Sequence, residues 1–506
     1  MTTFLPKMKS KNLLLALMLA LSTATLAETK PTLSTKPYQK PLDTNLPSDT
    51  PSELPELGDV SQTVLTPLDE QRIGAEIMRD VSVSDEVVQD IEVIDYLQGL
   101  GNRLVAASDD KNQTFNFFVV SDPSINAFAL PGQVIGVHTG LLLATNSESE
   151  LASVLGHEIG HETQHHLARM LAKQKTDSFK NIAGIAVALL VARANPELAQ
   201  GALLGASAAG VQRQLDYTRE HEREADRVGL TIMESAGFDP RAMPVFFTTL
   251  QRGNRFSEGT APGFLRTHPL TTERIADVEN RVESMPYKQV PDSLNFQLIR
   301  AKLRANAGLA QAQVDQFQDN IKEGHFANEA AEHYGLAVAM LRKNDVNGAS
   351  NQLKWLKANA IKNPILETLA ARIEVARNSP QTAAKQYAVS LSLFPTHRAL
   401  IYGYAEHFLA LKQPDKAIGL VQSKQNLYPN DAYFYEVLAK AYTAKGKNLL
   451  SFQAQGESYF RKYNLAKAVE QMEFAAKAKD GSFYEKSIVE ARLKELKRLQ
   501  QNEKAA

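Results

Sequence analysis

His157-Glu158-Ile159-Gly160-His161 lies inside an apolar-periodic run that begins near Ser147 and continues to about Leu171. On a helix, residues four apart sit one turn apart on the same face. Both imidazoles can therefore reach one divalent ion while Glu158 points at the open side of that ion. This is the arrangement of a zinc hydrolase, with one Zn²⁺ per chain and Glu158 as the base that takes a proton from the attacking water. The flanking residues support a helix: Ser147 with Glu150 forms a capping box, and Leu151, Val154, Leu155, Ile159 and Leu167 recur at helical spacing. In a chain of 506 residues with 11 histidines, chance alone yields such a pentad about one to two per cent of the time, so its context has to carry the assignment.

A hydrolytic zinc site needs a third protein ligand and one open position. A histidine six residues past the second ligand is ruled out, because position 167 is Leu. Glu220-His221-Glu222-Arg223-Glu224-Ala225-Asp226 offers a carboxylate instead. Four carboxylates in seven residues ordinarily make a solvated helix face. Beside a zinc helix, Glu222 and Asp226 fall one turn apart on one face, so Glu222 can bind the metal while Asp226 accepts the second N–H of a ligand histidine. His221 is the alternative ligand in the same stretch.

The helix pair, with its Glu-x-x-x-Asp spacing, resembles the superfamily of the HtpX heat-shock protease and the CAAX prenyl protease, the minigluzincins. Two further segments resemble the same superfamily: Ser124-Ile125-Asn126-Ala127-Phe128-Ala129-Leu130-Pro131-Gly132, and Thr267-His268-Pro269-Leu270-Thr271-Thr272-Glu273-Arg274. The resemblance covers about residues 65 to 285. It implies a substrate chain lying along a sheet edge at Asn126 and Ala127, and it places His268 near the zinc. Two roles for His268 stay open. It could donate to the developing oxyanion with Arg274 assisting, or it could take the fourth coordination position and make a latent enzyme. Gln133 departs from the pattern where relatives often carry a second Gly, which bears on a turn and leaves the chemistry untouched.

Net charge is −1, so nothing proposes nucleic acid as a partner, and the absence of cysteine excludes disulfides, thiolate ligands and a cysteine nucleophile. Lys7, Lys9 and Lys11 precede the apolar run Leu13 to Leu21, and Thr25-Leu26-Ala27 offers small residues for cleavage, so residues 1–27 read as a signal peptide for export to the periplasm. Residues 28–64, rich in Pro, Ser and Thr, read as a disordered leader. Helical periodicity spans Asp69 to Val81 and Glu86 to about Ala107, and Thr114 to Ser121 and Asn126 to His138 read as short strands. Residues 181–211 hold two apolar pieces, each too short to span a bilayer. They read as a helical hairpin beside the cleft, with peripheral membrane contact as the alternative.

Beyond Pro291 the periodicity is helical. Pro395 and Pro429 lie 34 residues apart, with Tyr404-Ala405 answering Leu438-Ala439, which resembles tetratricopeptide repeats. Stacked helical pairs of that kind form a solenoid. The expected fold is mainly α: a metallopeptidase domain over 65–290 with helices and a small β-sheet, a helical connector over 291–325, and an α-solenoid over 326–506. An exported catalytic domain followed by such repeats resembles the periplasmic β-barrel assembly proteases. That resemblance implies unfolded outer-membrane barrel proteins as substrates and the barrel-assembly complex as a partner of the repeats. The rival reading is a chaperone or scaffold whose zinc is structural or latent.

Overall fold

The structure is a computed structural model in which residues 65–110, 113–173, 208–256, 263–359 and 361–505 are described. The expected signal peptide, the leader and all but the last residues of the 181–211 stretch lie outside these. Among the described residues, no helix is long and apolar enough to cross a membrane. The chain divides into two compact units, Met1–Asp69 with Gln164–Arg219, and Glu70–Thr163 with Glu220–Ala506.

The chain opens on α1 (Pro67–Val81) and α2 (Ile91–Val105). The Asp90 side chain caps α2 by accepting from the Glu92 and Val93 amides, and Leu97, Leu100 and Leu104 bury the face that the periodicity predicts. Strands β1 (Asn116–Val120), β2 (Ala127–Leu130) and β3 (Val134–His138) form a three-stranded sheet in the order β1-β3-β2, with β3 parallel to β1 and antiparallel to β2. Strand β2 therefore lies at an edge, and among the described residues it pairs only with β3. Gly132 and Gln133, between β2 and β3, both take left-handed φ values of 86° and 58°. The second is the position where Gln replaces an expected Gly, and a side chain there bears a steric cost that glycine avoids.

After the short α3 (Thr139–Ala144), the motif run forms two helices, α4 (Glu148–Thr163) and α5 (His166–Lys173). The single helix expected through Leu171 is interrupted at His165, whose φ is 48°. Leu167 therefore belongs to α5. Ser147 Oγ accepts the Glu150 amide at 3.1 Å as a capping box requires, but Glu150 reaches back to the Asn146 amide at 2.8 Å, one residue earlier than expected. Helix α4 is buried on every side from Glu148 to Gly160 rather than along one stripe.

Helix α6 (Ala208–Ser235) carries the carboxylate segment and crosses α4 at backbone contact. A β-carbon on Gly229 would lie 3.0 Å from the His157 nitrogen, and one on Gly160 would lie 3.1 Å from the Ala225 carbonyl oxygen. Glycine at these two positions lets the helix axes approach closely enough for short side chains to meet. Helices α7 (Ala242–Phe256), α8 (Gly263–Thr267) and α9 (Thr272–Glu283) complete this part.

Antiparallel helix pairs follow: α10 (Leu294–Asn306) with α11 (Ala310–Glu323), α12 (Glu329–Arg342) with α13 (Val346–Ala358), α14 (Pro364–Ala376) with α15 (Pro380–Leu393), and α16 (Arg398–Ala410) with α17 (Pro414–Lys424). The last are α18 (Ala432–Ala444), α19 (Asn448–Arg461), α20 (Leu465–Lys477) and α21 (Phe483–Ala505). The stretch read as a connector is itself a pair, α10 and α11. Four turns that follow the first helix of a pair contain a left-handed residue, Asn344, Asn378, Lys412 and Gly446, at intervals of 34 residues. A left-handed residue there turns the chain back sharply after a helix.

The pairs pack directly on α2. Lys302, 3 % exposed, places Nζ 2.7 Å from Asp90 Oδ1 and 2.7 Å from Glu92 Oε2. His397 Nε2 meets Glu92 Oε1 at 3.1 Å, and Arg398 Nε donates to Asp95 Oδ1 at 2.9 Å. Burial works against the Glu92 charge, yet Lys302 and His397 hold its carboxyl down at about 2. The start of α4 is fastened in the same direction: Ser293 donates to Glu148 through its amide at 3.0 Å and its hydroxyl at 2.8 Å, and the Glu148 amide donates to Asp292 at 2.7 Å.

Candidate metal centre

The α4–α6 crossing brings the expected residues into one buried cluster. His157 Nε2 and His161 Nε2 stand 3.0 Å apart, and each is 3.4 Å from a carboxylate oxygen of Glu222. His268 joins them, its Nδ1 lying 3.3 Å from His157 Nε2 and 3.0 Å from Glu222 Oε1. One donor atom from each of the four lies within 4.8 Å of every other. Donors bound tetrahedrally to an ion at about 2.0–2.1 Å stand about 3.3–3.4 Å from one another, so the spacings fit a small divalent cation. The fit also extends to chemistry, since imidazole and carboxylate are ligands that zinc accepts. His221, the alternative ligand, is buried but contributes no atom to this cluster.

The placement of His268 follows from local structure. The amide of Phe264, in α8, donates to the carbonyl of Ile125, just before β2, and the His268 amide donates back to Phe264. The rings of Phe264 and His268 stack with centroids 4.7 Å apart. His268 Nε2 is 3.3 Å from Glu158 Oε1. Pro269 then ends the turn, and Thr271 caps α9 by accepting the Arg274 amide at 3.2 Å.

Asp226 and Arg274 form the surrounding layer. His157 Nδ1 meets Asp226 Oδ1 at 2.9 Å, which leaves Nε2 to face the cluster. The Arg274 guanidinium grips Asp226 with two bonds of 2.7 and 2.8 Å. Its remaining nitrogen lies 2.8 Å from Glu222 Oε2 and donates to the Pro269 carbonyl at 2.9 Å. Arg274 is 1 % exposed, and each of its three guanidinium nitrogens meets a carboxylate or backbone oxygen around the site.

The electrostatics follow. Burial opposes ionisation of Glu222, but the charges of His268 and Arg274 hold its carboxyl well below the ordinary range. Asp226 is lowered as well, with Arg274 and His157 overcoming burial. Burial pushes His161 down to about 4, whereas the carboxylates of Asp226 and Glu222 overcome burial at His157 and raise it to about 9. Glu162, one turn past Glu158, went unnoticed in the sequence. Burial and the charges of Glu70 and Glu158 drive its carboxyl well above the ordinary range. A glutamate four residues after Glu158 was the available signal, though nothing in the sequence foretold Glu70 beside it.

Asn126 and Ala127 sit where β2 begins. Ala127 is fully buried in the core, main chain included. The Asn126 carbonyl accepts the His138 amide at 3.0 Å, and among the described residues its side-chain Oδ1 is buried without a hydrogen bond.

With this geometry in place, known proteins bear on its class. Residues 94–282 match peptidase family M48, and the chain belongs to that family of metallopeptidases. Among its relatives are proteins named β-barrel assembly-enhancing protease. That of Yersinia pestis is 30% identical over 88% of this chain and 92% of its own, and that of Escherichia coli K12 is 29% identical over 90% and 93%. The mitochondrial metalloendopeptidase OMA1 of Schizosaccharomyces pombe is 31% identical, over 38% of this chain and 54% of its own length.

Proposed function

We propose that this metalloprotease is a periplasmic zinc endopeptidase that degrades stalled or misfolded outer-membrane β-barrel proteins and assists their assembly, docking on the barrel-assembly complex through its repeats. The peptidase part would span 65–290, with the repeats carried beyond it to 506. The observation that carries the chemical reading is the cluster of four donor atoms, from His157, His161, Glu222 and His268, that all lie within 4.8 Å of one another. His157, His161 and Glu222 would hold one Zn²⁺ per chain. When bound, zinc lowers the pKa of water toward 7 and polarises the scissile carbonyl.

The chain's own residues do the remainder. Glu158 accepts the proton of the attacking water and returns it to the leaving amine. Asp226 fixes the tautomer and ring orientation of His157, and Arg274 holds Asp226 and Glu222 in place. In this reading Arg274 is a positioning residue, which replaces the expectation that it assists at the oxyanion. A substrate backbone adds to the outer edge of β2, beginning beside Asn126 and Ala127. Unpaired strands of an unfinished barrel offer the extended backbone that such an edge takes. The nearness of His268 Nδ1 to the other donors favours the latent, fourth-ligand role over the oxyanion role.

The test compares wild type, Glu158→Gln and His268→Ala against an unfolded barrel protein, with and without chelator. Metal content is measured in parallel. Glu158→Gln is expected to keep its zinc and lose proteolysis, and His268→Ala to cleave faster. Loss of activity in His268→Ala restores the oxyanion role. Full cellular function of Glu158→Gln would favour the scaffold reading.

A further inference from the structure

Helices α4 and α10 begin against each other. The first amide of α4, that of Glu148, donates to Asp292 Oδ1 at 2.7 Å. In return, the Glu148 carboxylate accepts from the amide and the hydroxyl of Ser293, the residue that caps α10, at 3.0 and 2.8 Å. The exchange has a simple cause: the first amides of a helix lack partners within it, and carboxylates are the acceptors its positive end favours. Ser293 Oγ closes the arrangement by accepting the Phe296 amide at 3.1 Å, and Tyr96 donates its hydroxyl to Glu148 at 3.0 Å. Further along α10, Arg300 donates to the carbonyls of Leu142 and Leu143 at 3.1 and 3.0 Å, near the end of α3. Residues 142–148, which lead into the ligand-bearing helix, are thus gripped at both ends from α10.

We propose that Ser293 and Arg300 are positioning residues of the metal centre, acting on it through α4. His157 follows Glu148 along that helix by about 14 Å. From Glu148 to Gly160 the helix is buried on every side, and a close-packed interior passes a displacement on instead of absorbing it. Helix α6 crosses it at backbone contact beside His157, so a small slide of α4 changes how His157 and His161 face Glu222. The helical pair α10–α11 then belongs to the catalytic unit, although it lies beyond residue 290. By reciprocity, whatever moves α10 alters metal binding, and metal binding steadies α10. The inference rests on the reading of the cluster as a zinc site and adds to it a dependence on residues outside the peptidase part.

The test is hydrogen exchange read by mass spectrometry on the full chain, stripped by chelator and then reloaded with Zn²⁺. Zinc affinity is measured alongside, by chelator competition, in wild type, Ser293→Ala, Ser293→Thr, Arg300→Met and His397→Gln. Zinc is expected to slow exchange over 294–306 at least about threefold, as well as in α4 and α6. Ser293→Ala and Arg300→Met, each checked for fold by circular dichroism, are expected to weaken zinc binding at least about fivefold. Ser293→Thr keeps the hydroxyl and is expected to bind zinc as wild type does. His397→Gln breaks a different contact, the one between the helical pairs and Glu92 of α2, and is expected to leave zinc affinity unchanged. Protection confined to α4 and α6, unchanged affinity in Ser293→Ala and Arg300→Met, or equal weakening by His397→Gln overturns the proposal and leaves the metal reading standing. A wild type that takes up no zinc overturns both.

Discussion

Glu92→Gln tests whether the repeats are fastened to the peptidase part by buried charge. The carboxylate is 4 % exposed and bonded to Lys302, which is itself 3 % exposed. A carboxyl held at about 2 against an ordinary 4.5 corresponds to on the order of 3 kcal/mol of stability. Removing one partner of a buried pair costs about 3–5 kcal/mol. Lys302 keeps its bond to Asp90, so the expected loss is about 2–3 kcal/mol. The pH dependence has a definite sign. The folded pKa is depressed, so the contribution is complete above pH 4.5 and fades as pH falls toward 2. Urea unfolding followed by the single tryptophan, Trp355, stacked on His333 at 3.7 Å, should show wild type above the variant at pH 7. That gap should narrow by pH 3. A gap below about 0.5 kcal/mol at pH 7, or one that does not narrow on acidification, refutes the reasoning.

Two further predictions concern the cluster. Asp226→Asn removes the ionised acceptor at His157 Nδ1 and one anchor of Arg274, and should weaken zinc affinity about 10- to 100-fold with little change in helix content, as read by competition with a chromogenic chelator. Gly229→Ala puts a β-carbon 3.0 Å from the His157 nitrogen, so α4 and α6 must part by a few tenths of an ångström. Its expected cost is about 1–3 kcal/mol in stability, together with a drop in metal affinity. Unaltered metal binding in that variant would show that the crossing distance does not set the site.

The parts of this architecture that follow a repeat were legible in the sequence. His157 and His161 at four-residue spacing, and Glu222 with Asp226 at the same spacing, define helix faces without any tertiary knowledge. So does the 34-residue recurrence around Pro395 and Pro429. What escaped depends on residues that meet only in three dimensions. Nothing in the sequence pairs Arg274 with Asp226 across 48 positions, and Gly160 and Gly229 carry no periodic signature although their missing side chains let the helices touch. The interruption at His165 was hidden because apolar residues continue on both sides of it. The continuous burial of α4 is tertiary in origin, since glutamate and serine there are covered by neighbours distant in sequence.

Glu148 has a practical implication for dissecting the molecule. The first residue of the ligand-bearing helix, buried and acidic, receives both of its Ser293 bonds from beyond residue 290. An excised protease fragment ending there would start its key helix on an orphaned anion, with Tyr96 as the remaining hydroxyl donor. Low activity in such a fragment would reflect a frayed helix origin before it said anything about what the solenoid recognises.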